Sequence, residues 1–233
     1  MLASQARPQI QRILDPLGRR LAQTGLSPDV VTVVGTLGVS GAALGFFSRG
    51  VFFWGTLAIT LFVFSDLLDG LIARAKGTSS KWGAFLDSSS DRVADSAIFG
   101  SLALWYAGDG KSLPLAGAAI YALAAGGIIS YVKARAESLG FDCNTGFAER
   151  GERLLIVLVA AAITGLGVPW LLPAALWFLC GATTITVGQR LVYVYKQARE
   201  VDPRPERPAR RTGRRVIRSR RHNVDGAERA GVR

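Results

Sequence analysis

Residues 51–75 read VFFWGTLAITLFVFSDLLDGLIARA, and the class of fold turns on this stretch. Residues 51–64 carry no charge, and the apolar run then continues through Asp66 and Asp69 to Ala75. About 20 predominantly apolar residues suffice for a helix to cross the hydrocarbon layer of a bilayer. A carboxylate inside such a helix costs at least about 2.5 kcal/mol, so it survives there when it faces a wet interior or a partner. The stretch therefore points to a membrane helix and to a site at once.

Similar runs lie on either side. They cover about 30–47, broken by Ser48-Arg49-Gly50, then 83–107, 113–131 with a polar continuation toward 139, 154–163, and 169–195. The reading is an all-α integral membrane protein with six transmembrane helices over a domain at 29–200. Composition agrees: of 233 residues 49% are hydrophobic and only 19% charged, and mean hydropathy is +0.28. Blocks this long exclude a disordered chain and argue against a soluble globular enzyme. His222, in the tail, is the single histidine, which removes histidine base catalysis and a histidine metal site from the body of the protein. Cys143 and Cys180 indicate neither a disulfide nor a zinc site.

The flanks are basic. Residues 1–28 place Arg7, Arg12, Arg19 and Arg20 among Ile10, Ile13, Leu14, Leu17 and Leu21, the pattern of an amphipathic juxtamembrane helix on a membrane surface. Ser27 is then expected to cap the next helix, with Pro28 at its first position. Residues 201–233 hold eleven arginines against four acids, net +7 of the chain's +11. With so few apolar residues, this tail is expected to be disordered and drawn to anionic lipid headgroups. Nucleic acid is not the expected partner, because charge alone carries no specific signature. Basic residues cluster in the amino-terminal arm, at 74–81, at 133–153 and in the tail, which places both termini and those connections in the cytoplasm.

Four acids carry the chemistry. Asp66 and Asp69 are three residues apart and Asp87 and Asp91 four apart, so each pair shares a helix face. The connection between the two helices is short, so they can be antiparallel neighbours whose carboxylates converge. Carboxylate oxygens suit Mg²⁺, with Mn²⁺ as the alternative, and two such ions about 3.5–4 Å apart would form a phosphoryl-transfer site. Gly70 and Gly83 permit a close approach by a ligand, or equally a close helix crossing. Arg74 can meet a phosphate bidentately. The competing reading of the acids is an ion-pair network with Arg74, Lys76, Lys81 and Arg92.

The pattern Asp66-x2-Asp69-Gly70-x2-Ala73-Arg74-x8-Gly83-x3-Asp87-x3-Asp91 resembles the signature of the CDP-alcohol phosphotransferase family at every fixed position. The resemblance extends from about Ser27 to Arg190. It implies that Asp66, Asp69, Asp87 and Asp91 bind two Mg²⁺ ions and that Asp91 is also the general base. It implies a direct displacement in which an acceptor hydroxyl attacks the β-phosphorus of a CDP-linked lipid and CMP leaves. It further implies a homodimer. The segment 26–32 resembles the part of the family that cradles the CDP group, which makes Asp29, Thr32, Gly70, Arg74 and Ser80 candidates for binding CDP-diacylglycerol. Helix capping is the other reading of Asp29 and Thr32. Asp95 extends the stripe by one turn and stands outside the motif, as a supporting or structural residue.

Lys133, Arg135, Arg150 and Arg153 lie at the cytoplasmic ends of two spans, and Arg190 lies inside the sixth. A cationic pocket implies an anionic acceptor, most simply a phosphate. The other reading is positive-inside anchoring with pairing to Glu137, Glu149 and Glu152. The runs Lys133-Ala134-Arg135-Ala136-Glu137 and Glu149-Arg150-Gly151-Glu152-Arg153 look like those of the actinobacterial phosphatidylinositol phosphate synthases within the family. That likeness implies CDP-diacylglycerol and an inositol phosphate as substrates, with Lys133, Arg135, Arg153 and Arg190 on the acceptor phosphate, at the cytoplasmic face of the plasma membrane. Phosphatidylglycerophosphate synthesis from glycerol 3-phosphate is the alternative. Intramembrane prenyl transfer would lack the Asp-Gly-x2-Ala-Arg continuation, and a cation carrier would not need the basic pocket.

Overall fold

The computed structural model describes residues 27–76 and 80–201, and for 65–76 it describes the backbone alone. The expected amphipathic helix, apart from its last two residues, and the arginine-rich tail from 202 onward lie outside the described residues. Within them the chain is helical: α1 (Pro28–Phe46), α2 (Phe52–Lys76), α3 (Lys81–Ala107), α4 (Leu113–Ser138), α5 (Arg150–Gly165) and α6 (Leu171–Val201). No strand occurs among the described residues. Each helix coincides with one expected apolar run. Three segments, Pro28–Arg49, Leu113–Ser138 and Leu171–Val201, are long and apolar enough to cross a membrane by length and composition, and Phe52–Phe64 is a shorter apolar helix.

Local chemistry explains the helix ends. α1 starts with Pro28 in its first turn, where a missing N–H costs nothing. Ser27 occupies the cap position, but its exposed hydroxyl makes no cap bond. Its contribution is its carbonyl, which accepts from the amides of Val30 and Val31. α3 begins two residues before its expected start because the Ser80 hydroxyl accepts from the Gly83 amide at 2.9 Å. α5 begins at Arg150, four residues before the apolar run, because Glu149 and Glu152 form a capping box in which the Glu149 amide donates to the Glu152 carboxylate at 3.0 Å.

α1 packs against both α2 and α3, α4 joins α3 to α6, and α5 closes between α2 and α6. The core is built of Ile98, Phe99 and Leu102 from α3, Val157 from α5, and Leu172, Leu176 and Leu179 from α6. α4 contributes Ala116, Ala119 and Ala122, small side chains that let helices approach closely. The outward faces carry Leu37, Leu61, Leu104, Leu155, Trp177 and Ile185, all exposed. Apolar residues on both the inner and outer faces are what a lipid-embedded bundle requires.

At the end of the bundle where α1 turns into α2, Phe52 stacks edge-on against Phe47 and Trp105, with ring centroids 5.7 and 4.9 Å apart. Tyr106 joins Trp105 at 4.6 Å. Gly50 makes this turn possible. Its φ is +73°, and a β-carbon there would meet the Trp105 indole nitrogen at 2.5 Å.

Candidate active site

The opposite end of the bundle holds the polar residues. On α3, Asp87, Asp91 and Asp95 fall four apart on one face, and burial rises along them. Asp87 is exposed and Asp91 is partly buried. Asp95 is only 4% exposed. Asp91 and Arg150 border a crevice between α1 and α2, with Gly35, Val39 and Phe62 on the facing walls. Asp66, Asp69, Gly70 and Arg74 lie on the helical backbone of α2, but their side chains are outside the described residues. Since α1 packs on both α2 and α3, both acid-bearing helices flank one common neighbour.

Among the described residues no three metal-type side chains come together. The donors present, the carboxylates of Asp87 and Asp91 one helical turn apart, are hard oxygen ligands and fit a divalent cation of the Mg²⁺ or Mn²⁺ kind.

At the entrance of α1, the Trp82 indole donates to the Asp29 carboxylate at 3.1 Å, tying the start of α1 to the start of α3. This bond brings Asp29 and Ser80 to the same end of the bundle. Asp29 therefore does more than cap its own helix. Thr32 is buried, and its hydroxyl donates to the Pro28 carbonyl at 3.1 Å, a bond within the helix rather than a cap. Ser80 is the α3 cap, so its hydroxyl already holds the Gly83 amide.

The basic residues divide into two groups. Lys133 is 4.0 Å from Glu137 on α4, and Arg135 is exposed in the last turn of that helix. Arg153 and Arg190 are only 1% and 2% exposed. A charge buried this deeply needs partners, and both have them. Arg190 donates to the carbonyls of Thr145 and Ile129, each at 2.8 Å, and to Glu149 at 3.2 Å. Arg153 donates to the Ala148 carbonyl and to Asp95, both at 3.2 Å. Gly126 on α4 makes room for it, because a β-carbon there would lie 2.9 Å from the guanidinium carbon. The two arginines thus both hold the connection 139–149, Arg153 at Ala148 and Arg190 at Thr145 and Glu149. Gln197 holds the same connection by pairing with both the amide and the carbonyl of Asp142 at 3.0 and 2.7 Å.

The structure separates Arg150 from the other cations of its segment. Its guanidinium lies 2.8 Å from Asp91 and 3.2 Å from Asp95, so it serves the acidic stripe. Asp95, left at the margin by the sequence, is the hub joining Arg150 and Arg153. Its position one turn beyond Asp91 was the signal available for it. Both cysteines are free, Cys143 buried and Cys180 partly so.

Comparison with known proteins places this geometry. The CDP-alcohol phosphatidyltransferase family matches residues 26–188. The chain is similar to a phosphatidylinositol phosphate synthase of Streptomyces avermitilis, 51% identical over 209 residues that cover 87% of this chain and 86% of that protein. A phosphatidylinositol phosphate synthase of Mycobacteroides abscessus is 43% identical, over 80% of this chain and 85% of that one. Among solved structures, the Mycobacterium tuberculosis phosphatidylinositol phosphate synthase with CDP-DAG bound superposes with a TM-score of 0.75 at 41% identity, covering 79% of this chain and 94% of that chain. The same enzyme in complex with manganese and citrate gives 0.74 at 40% identity, over 77% of this chain and 88% of that one. The match spans well over half of the sequence and includes both acid-bearing helices, so the chain belongs to the CDP-alcohol phosphatidyltransferase family.

Proposed function

We propose that this enzyme transfers the phosphatidyl group of CDP-diacylglycerol to an inositol phosphate, releasing CMP and forming phosphatidylinositol phosphate. The carrying observation is that a stripe of aspartates on α3, with Asp91 bordering a narrow crevice, occurs in a chain 51% identical to a phosphatidylinositol phosphate synthase. The relative solved with CDP-DAG bound supports the donor, and the relative solved with manganese supports a divalent cation.

In this reading Asp66, Asp69, Asp87 and Asp91 hold two Mg²⁺ ions, with Mn²⁺ as the alternative. When bound, such ions neutralise the diphosphate and stabilise the departing CMP phosphate. The protein's part is to bind, orient and move a proton. The acceptor hydroxyl oxygen forms a bond to the β-phosphorus, the bond from that phosphorus to the CMP oxygen breaks, and the hydroxyl proton passes to the Asp91 carboxylate. Asp29, Thr32, Gly70, Arg74 and Ser80 line the CDP end. Lys133, Arg135, Arg153 and Arg190 form the acceptor-phosphate end, with Lys133 and Arg135 as its accessible cations. Holding both reactants removes much of the entropic barrier to a two-molecule reaction.

The setting follows from the apolar runs and the basic connections, and the homodimer from the family resemblance. The helices cross the plasma membrane six times, both termini and the site face the cytoplasm, and the protein forms a homodimer.

The test uses detergent-purified protein with Mg²⁺ and CDP-diacylglycerol. One acceptor is added at a time, CMP release is measured, and the lipid product is identified by mass. Turnover with inositol phosphate alone is the expected result. Turnover with glycerol 3-phosphate alone would keep the aspartate chemistry and overturn the acceptor. Absence of CMP release with every acceptor would overturn the transferase reading of this site.

A further inference from the structure

Asp95 divides its two oxygens between two arginines of α5. Oδ1 accepts from Arg150 Nε and Oδ2 from Arg153, each at 3.2 Å. Arg150 is itself shared, because its terminal nitrogen lies 2.8 Å from Asp91 Oδ1, the shorter of its two ion pairs. Arg92 stands farther off, 3.8 Å from Asp91 and 3.9 Å from Asp95, with its hydrogen bonds given to the Ser130 hydroxyl and the Ser88 carbonyl. The Arg150 side chain is 25% exposed, Asp91 18% and Asp95 6%, so water screens these charges less than it would on an open surface. A guanidinium is a rigid planar fork, and fixing Nε against Asp95 also fixes where its terminal nitrogen falls.

We propose that Arg150, anchored by Asp95, is a positioning residue for the reaction: it orients the Asp91 carboxylate and sets how strongly that carboxylate holds a divalent cation. The inference rests on the reading of Asp91 as metal ligand and base. A guanidinium beside Asp91 competes with a bound cation for the same negative charge. Asp95 shares that guanidinium and so relieves part of the competition. Arg150 therefore loosens the cation and Asp95 tightens it, while both hold Asp91 in the orientation that accepts the acceptor's proton. A pair that only glued α3 to α5 would behave otherwise, since losing either member would disturb the site in the same direction.

The experiment uses the purified full chain in detergent, with Mn²⁺ alone as probe and no substrate, reading free Mn²⁺ by electron paramagnetic resonance. Arg150→Gln is expected to bind Mn²⁺ about fivefold more tightly than wild type and Asp95→Asn about fivefold more weakly, the size of one partly exposed charge pair. The double variant stays close to Arg150→Gln, because the guanidinium that Asp95 shares with Asp91 at short range is gone and only the more distant Arg92 remains. In parallel assays kcat falls in both single variants while KM for CDP-diacylglycerol is unchanged. Should Arg150→Gln fail to fold, Arg150→Lys keeps the charge but not the fork, and is expected to keep Mn²⁺ affinity and lose kcat. Shifts of both single variants in the same direction, or unchanged kcat, would overturn the inference alone. Wild-type protein that binds no Mn²⁺ would overturn the metal reading of Asp91 and this inference with it.

Discussion

At one end of the bundle Phe47, Phe52, Trp105 and Tyr106 close the core ring against ring. At the other, Asp91, Asp95, Arg150 and Arg153 close it charge against charge. The same helices build both ends: α3 starts among the acids and finishes among the aromatics. The aromatic end needs volume and shape, with glycines such as Gly50 and Gly110 where a β-carbon would strike the Trp105 ring. The polar end is far more expensive, since a buried ion pair rarely adds stability over an apolar replacement.

The comparison is open to direct attack. The largest effect is expected from Asp91→Asn, which retains shape and loses the base: turnover should fall by about 10²–10⁴-fold while the protein stays folded. CMP release measured beside thermal unfolding checks this, and near-normal turnover would remove Asp91 as base. At the aromatic end Phe47→Ala should do the reverse. Phe47 is fully buried, and its truncation should lower stability by about 3 kcal/mol and leave both KM values unchanged. A shifted KM would mean that the two ends communicate.

Smaller effects sharpen the polar end. Asp87→Ala should raise the Mg²⁺ concentration for half-maximal activity by about tenfold or more, read by titrating activity with the metal. Arg190→Ala should raise KM for the phosphorylated acceptor about tenfold, the loss of one charged contact, and leave KM for CDP-diacylglycerol alone. Equal shifts in both would assign Arg190 to holding the 139–149 connection only. The smallest change is Gly126→Ala, whose β-carbon meets the Arg153 guanidinium. A displacement of that group should raise the acceptor KM a few fold with kcat preserved.

Much of this was legible in the sequence. The six helices follow from apolar runs and their breakers, because helix formation in lipid is a local matter of length, hydropathy and end residues. The acid motif was legible for the same reason: spacings of three and four put Asp87 beside Asp91 without any knowledge of neighbours. Errors at the helix ends came from polar caps that hydropathy does not register, as at Glu149 and Ser80. Ser27 shows the converse, a residue of the right type whose hydroxyl makes no cap bond.

What the sequence left open were the destinations of the charges. Arg150 and Arg153 stood at the end of one span and Arg190 inside another, with no partner fixed for any of them. Only the crossing of α3 and α5 sends Arg150 to Asp91 and Arg153 to Asp95, and only the packing of α4 on α6 buries Arg190 against the Ile129 carbonyl. Periodicity and composition act within one helix, so the sequence by itself determined the helices and the faces their acids share. Ion pairing depends on a few ångströms between residues 55 or more positions apart, as for Asp95 and Arg150, and tertiary packing alone sets that distance.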